Sequence, residues 1–521
     1  MQLVERFWAV IISIINIVTL SLLQDGTVNQ NPLEIDLPLA RPSSVITDFK
    51  TQAGPIFRPP GTPEGFDFTC DYSAMVGWES CSNPWDRKCW LRRVSDGSQY
   101  DIFTDYETDM PIETTRYYEL DLVDSSWDAD GINFPYAKLF NDVYPGLWIE
   151  ACWGDRVIIN VTNSLKSYGT SVRWHGIRQN QTMHIDGVNG LRQCPIAPGD
   201  YFVYNFTATQ YGSSWYHSHY SVQYADGAAG PITLHGPSSA RSDEAISPPF
   251  ILTDWGHKTA FDAVITGNLD NFDMLLNGQG DVKTFNNSAV YDTKPKGPYS
   301  ITFDRPVITL PNKRYLLRII NTSFTTTFIL SIDNHRLQVV SADFVPISPY
   351  TTTSVLVGIG QRYNVIVEAA PELDPLNPIP LPTDGNYWIR TNISTCLSDS
   401  SPGDPGYDRT GILRYNSSSQ AKPTSQQWVG IPTACLDEDY SNLHPMVPWI
   451  VGNPSNGPIS GEDFDVGTKG ANFKTAFWTL GSESDSIQVD YDNITFFNLD
   501  NHQGFNNSWR VVSEDYRGAC K

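Results

Sequence analysis

The chain has 521 residues, with 35 Lys and Arg against 58 Asp and Glu, giving a formal charge of -23 at pH 7. That length accommodates two to four domains whose cores need no staples, and that charge excludes nucleic acid and anionic membrane surfaces as natural partners. Abundant Gly (38), Pro (36) and aromatic residues (12%), with few apolar helical patterns beyond the N-terminus, exclude a helical protein and predict a β-rich one.

In chain order, "MQLVERFWAVIISIINIVTLSLLQDG" places Arg6 before an apolar run from Phe7 to Leu23. The pattern predicts a secretory signal peptide over residues 1–24 or, if retained, a membrane anchor, and hence a secreted, extracellular protein. A Pro-rich lead over residues 36–65 follows. Short alternating runs in "DRVIINVTN", "YFVYNFTA" and "GPITLHGP" predict strands of a first domain over 66–240. The polar stretch "SSARSDEAISPP" is expected as a linker. "PFILTDW", "RYLLRIIN", "RLQVVSADF", "YNVIVEAA" and "YWIRTNI" predict a second β domain over 247–415. A second expected linker, "YNSSSQAKPTSQQ", precedes an incomplete third domain over 428–521, with strands in "DSIQVDY" and "WRVVSEDY". The expected architecture is two complete β-sandwich or barrel domains and part of a third.

Sequons at Asn160, Asn180, Asn205, Asn286, Asn321, Asn392, Asn416, Asn493 and Asn506 predict N-glycans. The cysteines of an exported chain are expected to pair. Cys81 and Cys89 lie close enough to close a small loop, and Cys396 and Cys435 flank a polar segment that they could pin. Cys70, Cys152, Cys194 and Cys520 have no partner by spacing, and a buried free thiol stays open for Cys152.

The densest chemistry lies in "GSSWYHSHYSVQYADGAAGP". Alternation puts His217 and His219 on one face of a strand, about 6–7 Å apart, with Ser218 pointing away. Two such imidazoles suit one metal ion or two adjacent ones. Upstream, "SVRWHGIRQNQTMHIDGVNG" carries His175 on another predicted strand, and the loop, strand and turn between the clusters fold them toward each other.

With "WHGIRQ", "DGVNG", "CPIAPG", "QYGSSWYHSH" and "ADGAAGPITLHGP" in order, the chain resembles the laccases, multicopper oxidases of the ascomycete kind. "DRKCW", "LNGQG", "RYLLRIIN" and "DNHRLQVVSADF" extend the resemblance from about Gly65 onward. It implies tandem cupredoxin-like (plastocyanin-like) Greek-key barrels, an all-β fold. It also implies a monomer that oxidises phenolic small molecules and reduces O2 to water at copper centres. By motif, His175, His217 and His219 correspond to ligands of the type 3 copper pair. Asp186 corresponds to an acidic residue near the cluster that assists proton delivery. Trp174 and Trp215 would be packing aromatics around it. Cys194 corresponds to a cysteine that pairs near the C-terminus; it could also be free, or pair with Cys152 or Cys520.

Two departures stand out. The family's His-Trp-His-Gly reads Arg173-Trp174-His175-Gly176 here, and alternation points Arg173 into the cluster at a type 2 copper ligand's place. Guanidinium offers no lone pair and stays charged, which puts the type 2 copper in doubt. The His-Cys-His motif of the type 1 copper is absent from the sequence: His444 and His502 stand isolated, and Cys520 has no flanking His. The expectation is a C-terminally truncated oxidase. A non-catalytic secreted cupredoxin-like glycoprotein with a residual metal site and, more weakly, a three-histidine zinc hydrolase are the alternatives. His184, His235, His257 and His335 are expected to be structural.

Overall fold

The computed structural model describes residues 54–62, 66–112, 114–189, 192–266, 272–280, 296–307, 309–395 and 408–449, together with the backbone of two paired strands, Val466–Lys469 and Phe477–Leu480. Residues 1–24, "DSIQVDY" and "WRVVSEDY" lie outside them, and so do Cys396 and Cys520.

Alternation builds the first sandwich. Along Arg156–Asn163 every second residue is buried, so Val157, Ile159 and Val161 enter one core while their neighbours face out. This strand lies between Tyr201–Thr207 and Thr115–Asp128, with Asn133–Phe140 completing a four-stranded sheet. The opposing sheet runs Val172–Trp174, Gly212–Ser218, Ala229–His235, Ile149–Cys152. Between the sheets pack Trp174, Tyr204, Phe206, Tyr216 and Ile232, each worth about 1.5–3 kcal/mol of burial.

The second sandwich faces a seven-stranded sheet against a five-stranded one. Its central strand, Arg314–Asn321, is the apolar run "RYLLRIIN", and all but its first residue are buried. A strand covered on both faces needs such a run. Tyr315, Leu317 and Ile319 enter the sandwich core, whereas Ile320 meets Ile251 and, across the seam, Trp215 and Ala229 of the first sandwich. The two sandwiches thereby share an apolar seam behind Trp215.

Both expected linkers are docked rather than free. In the first, Glu244–Ala245 pairs in parallel with Tyr315–Leu316 and the Ser239 hydroxyl donates to the Val340 carbonyl. In the second, the Ser425 hydroxyl donates to Asp333 at 2.7 Å and accepts from the Trp388 N–H at 3.0 Å. Small hydroxyl side chains that look like linker composition here satisfy neighbouring polar groups.

The disulfides correct two expectations. Cys152 is not a thiol: it joins Cys70, with Cα atoms 5.7 Å apart, which also excludes a Cys152–Cys194 pair. Cys194 is not free either, and Cys435 is bonded too; their partners lie outside the described residues. Cys81 and Cys89 pair as expected. The sequon at Asn321 is overturned as a glycan site, because the residue is fully buried and its amide donates to the carbonyls of Thr326 and Val357. Among the described residues no helix is long and apolar enough to cross a membrane.

Candidate metal centre

The site grows from one pair of antiparallel strands. Val172–Trp174 aligns on Gly212–Ser218 with Arg173 opposite His217 and Trp174 opposite Tyr216. Alternation sends Trp174 and Tyr216, both fully buried, into the core of the first sandwich. It sends Arg173, Trp215 and His217 to the other face, toward the seam.

The chain then fixes each imidazole. His175 lies just past its strand, where its N–H donates to the Trp215 carbonyl at 3.0 Å and its carbonyl accepts from the Ser214 hydroxyl. The N–H of His219 donates to the Ser171 carbonyl at 2.9 Å. Ser218 points back, as alternation requires, and its hydroxyl donates to Gln223 at 2.7 Å; the Thr170 hydroxyl donates to the same oxygen at 2.8 Å.

The rings converge. His175 and His217 have centroids 5.6 Å apart and His217 and His219 5.8 Å apart, close to the spacing expected from two strand rises. His217 Nδ1 is 3.0 Å from the Ser218 carbonyl, which places its proton on Nδ1 and turns the Nε2 lone pair toward His175 Nδ1, 3.4 Å away. Trp215 stacks on both rings, at 4.9 Å from His175 and 4.1 Å from His217. The sequence offered Trp215 only as a packing aromatic; here it sets the tilt of two candidate ligands.

All three imidazoles are held neutral. Burial, then Arg362 and Arg173, push His175 down to about 3. Burial, then Arg173, push His219 down to about 4. His217 falls well below its usual range, again mainly through burial. A neutral imidazole is the form that ligates. No choice of one nitrogen from each ring brings all three within 4.8 Å of one another. That removes the geometry a single three-histidine zinc site needs and suits two neighbouring ions.

Arg173 does reach the cluster, but as an ion pair. Its Nη1 lies 3.4 Å from Asp186 Oδ2. Asp186 ends the short 3-10 turn Met183–Ile185, and burial raises its carboxyl above the usual range against the pull of Arg173. Gly187 makes this placement possible: its φ is +88°, and a Cβ there would lie 1.8 Å from the Val172 carbonyl oxygen.

One wall comes from the second sandwich. Gly360, at φ +80°, sits so close that an added Cβ would lie 2.8 Å from His175 Cε1. Arg362 donates through Nε to the Ser213 carbonyl at 3.1 Å and pairs with Asp343 at 2.7 Å. Sequence reasoning missed Gly360 and Arg362, because a contact across two domains leaves no local periodicity.

Two other histidines, His235 and His335, are held by protein partners, as a structural role requires. His235 meets Glu150 at 2.9 Å. His335 sits between the Asp333 carbonyl and the Tyr415 hydroxyl, both at 2.8 Å. His257, expected to be structural, meets Asp130 at 2.8 Å, and ligand atoms of Asp130, His257 and Asp273 lie within 4.8 Å of one another, a grouping able to hold a metal ion.

Stacked sandwiches with an imidazole cluster at a strand end define a cupredoxin-like protein of the copper-oxidase type. Profiles of the multicopper oxidase family match residues 125–239 and 247–418. A laccase of Arthroderma benhamiae is 43% identical over 394 residues, 74% of this chain and 57% of that protein. Laccase-2 of Botryotinia fuckeliana is 39% identical over 83% of this chain and 69% of its own. The crystal structure of the laccase from Botrytis aclada superposes with a TM-score of 0.69 at 38% identity, covering 83% of this chain and 74% of that one. The chain belongs to the multicopper oxidase family. It spans between about half and three quarters of the length of these relatives.

Proposed function

We propose that this chain serves a laccase-like oxidase, which oxidises phenolic small molecules and reduces O2 to water. His175, His217 and His219 would hold the type 3 copper pair from the side of the first sandwich. The observation that carries the reading is the facing of His175 Nδ1 and His217 Nε2 at 3.4 Å, both rings neutral and both stacked on Trp215. Copper bound there supplies one-electron redox chemistry.

The chain's own residues do the rest. The Ser218 carbonyl fixes the tautomer of His217, Trp215 fixes ring tilt, and Gly360 walls one side of His175. Asp186, with its raised pKa beside Arg173, is a residue able to hold a proton at Oδ2 near the cluster. The donor set fits copper at three positions and not at the fourth: Arg173 cannot ligate, so no type 2 copper is assigned to it. A domain division at 66–240, 247–415 and 428–521, secretion, a monomeric state and glycans at the exposed Asn180 and Asn416 belong to the same proposal.

The Arg173–Asp186 pair favours a second reading, a secreted metal-binding glycoprotein without oxidase turnover. One experiment separates them. The full chain is loaded with copper, its metal content measured, and its oxygen uptake followed with a diphenol. Copper retained by the wild type and lost in His217→Ala, with oxygen uptake, supports the oxidase; retention without uptake supports the second reading. Equal copper in both proteins would overturn the site.

A further inference from the structure

Where the N-terminal lead meets both sandwiches there is a cavity of about 40 Å³, lined in part by Pro60, Arg87, Ser238, Arg318 and Ser341. One water needs roughly 10–15 Å³ of such space, so several waters or one small anion fit.

Several side-chain donors, with apolar residues such as Leu234 and Val340, line it. Arg318 is only 5% exposed. Its Nη2 donates to the Pro60 carbonyl at 3.0 Å, while its Nη1 has no hydrogen-bond partner among the described residues. The hydroxyls of Ser238 and Ser341 are likewise without partners there. Arg87, half-buried, donates to the carbonyls of Ser242 (3.0 Å) and Asp243 (3.4 Å) and to the Ser82 hydroxyl (3.4 Å), all neutral acceptors.

Neither guanidinium forms an ion pair with a carboxylate among the described residues. The carboxylates nearby have other partners: Glu150 meets His235 at 2.9 Å, Asp155 meets Arg116 at 2.7 Å, and Asp243 accepts from the Arg314 N–H at 2.8 Å. Glu150 and Asp243 reach Arg318 and Arg87 only through space, and burial outweighs them, pulling both guanidinium groups down to about 10. A buried cation without a hydrogen-bonded counter-charge is costly, and an anion in contact with it removes much of that cost.

We propose that this cavity binds a small inorganic anion, a halide or a compact oxyanion, held by Arg318, Ser238 and Ser341 with Arg87 at its edge. The anion would pin the N-terminal lead to both sandwiches at once. The site is independent of the imidazole cluster.

The test uses the full chain. Its melting temperature is followed while sodium bromide, and separately sodium sulfate, replaces sodium gluconate at constant ionic strength. Crystals soaked in bromide are measured at the bromine absorption edge. The expected result is a saturable rise of a few degrees with at least one anion, absent in both Arg318→Met and Ser341→Ala. The milder Ser341→Ala keeps the test decisive if Arg318→Met does not fold. A bromide peak within hydrogen-bond reach of Arg318 identifies a halide site, and a saturable rise with sulfate alone identifies an oxyanion site. A rise of equal size in wild type and Ser341→Ala, as general salt stabilisation gives, would overturn the proposal. So would a melting temperature indifferent to both anions, with only water in the cavity.

Discussion

At Trp215, one side chain serves two purposes. It seals the seam against Ile251 and Ile320 and stacks on His175 and His217. Trp215→Ala is expected to cost about 3–5 kcal/mol and to lower copper retention, whereas Trp215→Phe keeps most of both; denaturant midpoints and metal content check this. Arg173 presents a fixed positive charge to three neutral imidazoles. Arg173→Met should tighten copper binding by more than about tenfold in a chelator competition, because a like charge beside the cluster is removed. Asp186→Asn, which strips the guanidinium of its partner, should weaken it. Two buried groups outside the cluster predict the pH response. His335 is held at about 4 by burial, against about 6.5 unfolded. Its contribution to stability is therefore full above about 6.5 and is lost as pH falls toward 4. Asp226 runs the other way: burial raises it from 3.8 to about 7, so its contribution is full below about 4 and is lost as pH rises to 7, on the order of 4 kcal/mol in all. Stability measured against pH should decline less from pH 4 to 7 in Asp226→Asn than in the wild type.

Elements show what the sequence made legible and what it hid. The strand Gly212–Ser218 was readable because aromatic neighbours flank a His-x-His triplet, and alternation alone placed Ser218 on the far side. Arg173 was readable for the same reason, since period two puts residues 173 and 175 on one face. The turn that carries Asp186 was readable only as a motif; its mechanical need, a left-handed glycine against the Val172 carbonyl, emerges with the fold. Gly187→Ala should therefore lose more than about 1 kcal/mol and weaken copper binding along with Asp186→Asn, both visible in thermal melts and metal titration. The docking of the segments 238–249 and 415–427, read as linkers, was hidden because composition reports polarity and not pairing. Their Ser side chains bond to strands of the second sandwich, Ser239 to Val340 and Ser425 to Trp388.

Across the whole molecule, long-range links were the least legible. Cys70 and Cys152 are 82 residues apart, and nothing in their local sequence announces that the start of the first domain folds back onto the strand Ile149–Cys152. Replacing both by Ser is expected to lower stability by about 2–5 kcal/mol, read from the denaturant midpoint of the variant. All cysteines among the described residues are in disulfides, so copper-loaded protein should lack the intense blue band of a copper–thiolate site. A blue product would show that a thiolate forms in the residues outside those described. Gly360, pressed against His175 from the second sandwich, also carries a lesson about time. A ribosome completes the strands bearing all three imidazoles well before it reaches residue 360. A metal ion arriving early in biosynthesis meets an open-sided nest, and one arriving after the second sandwich has docked meets a wall on that side.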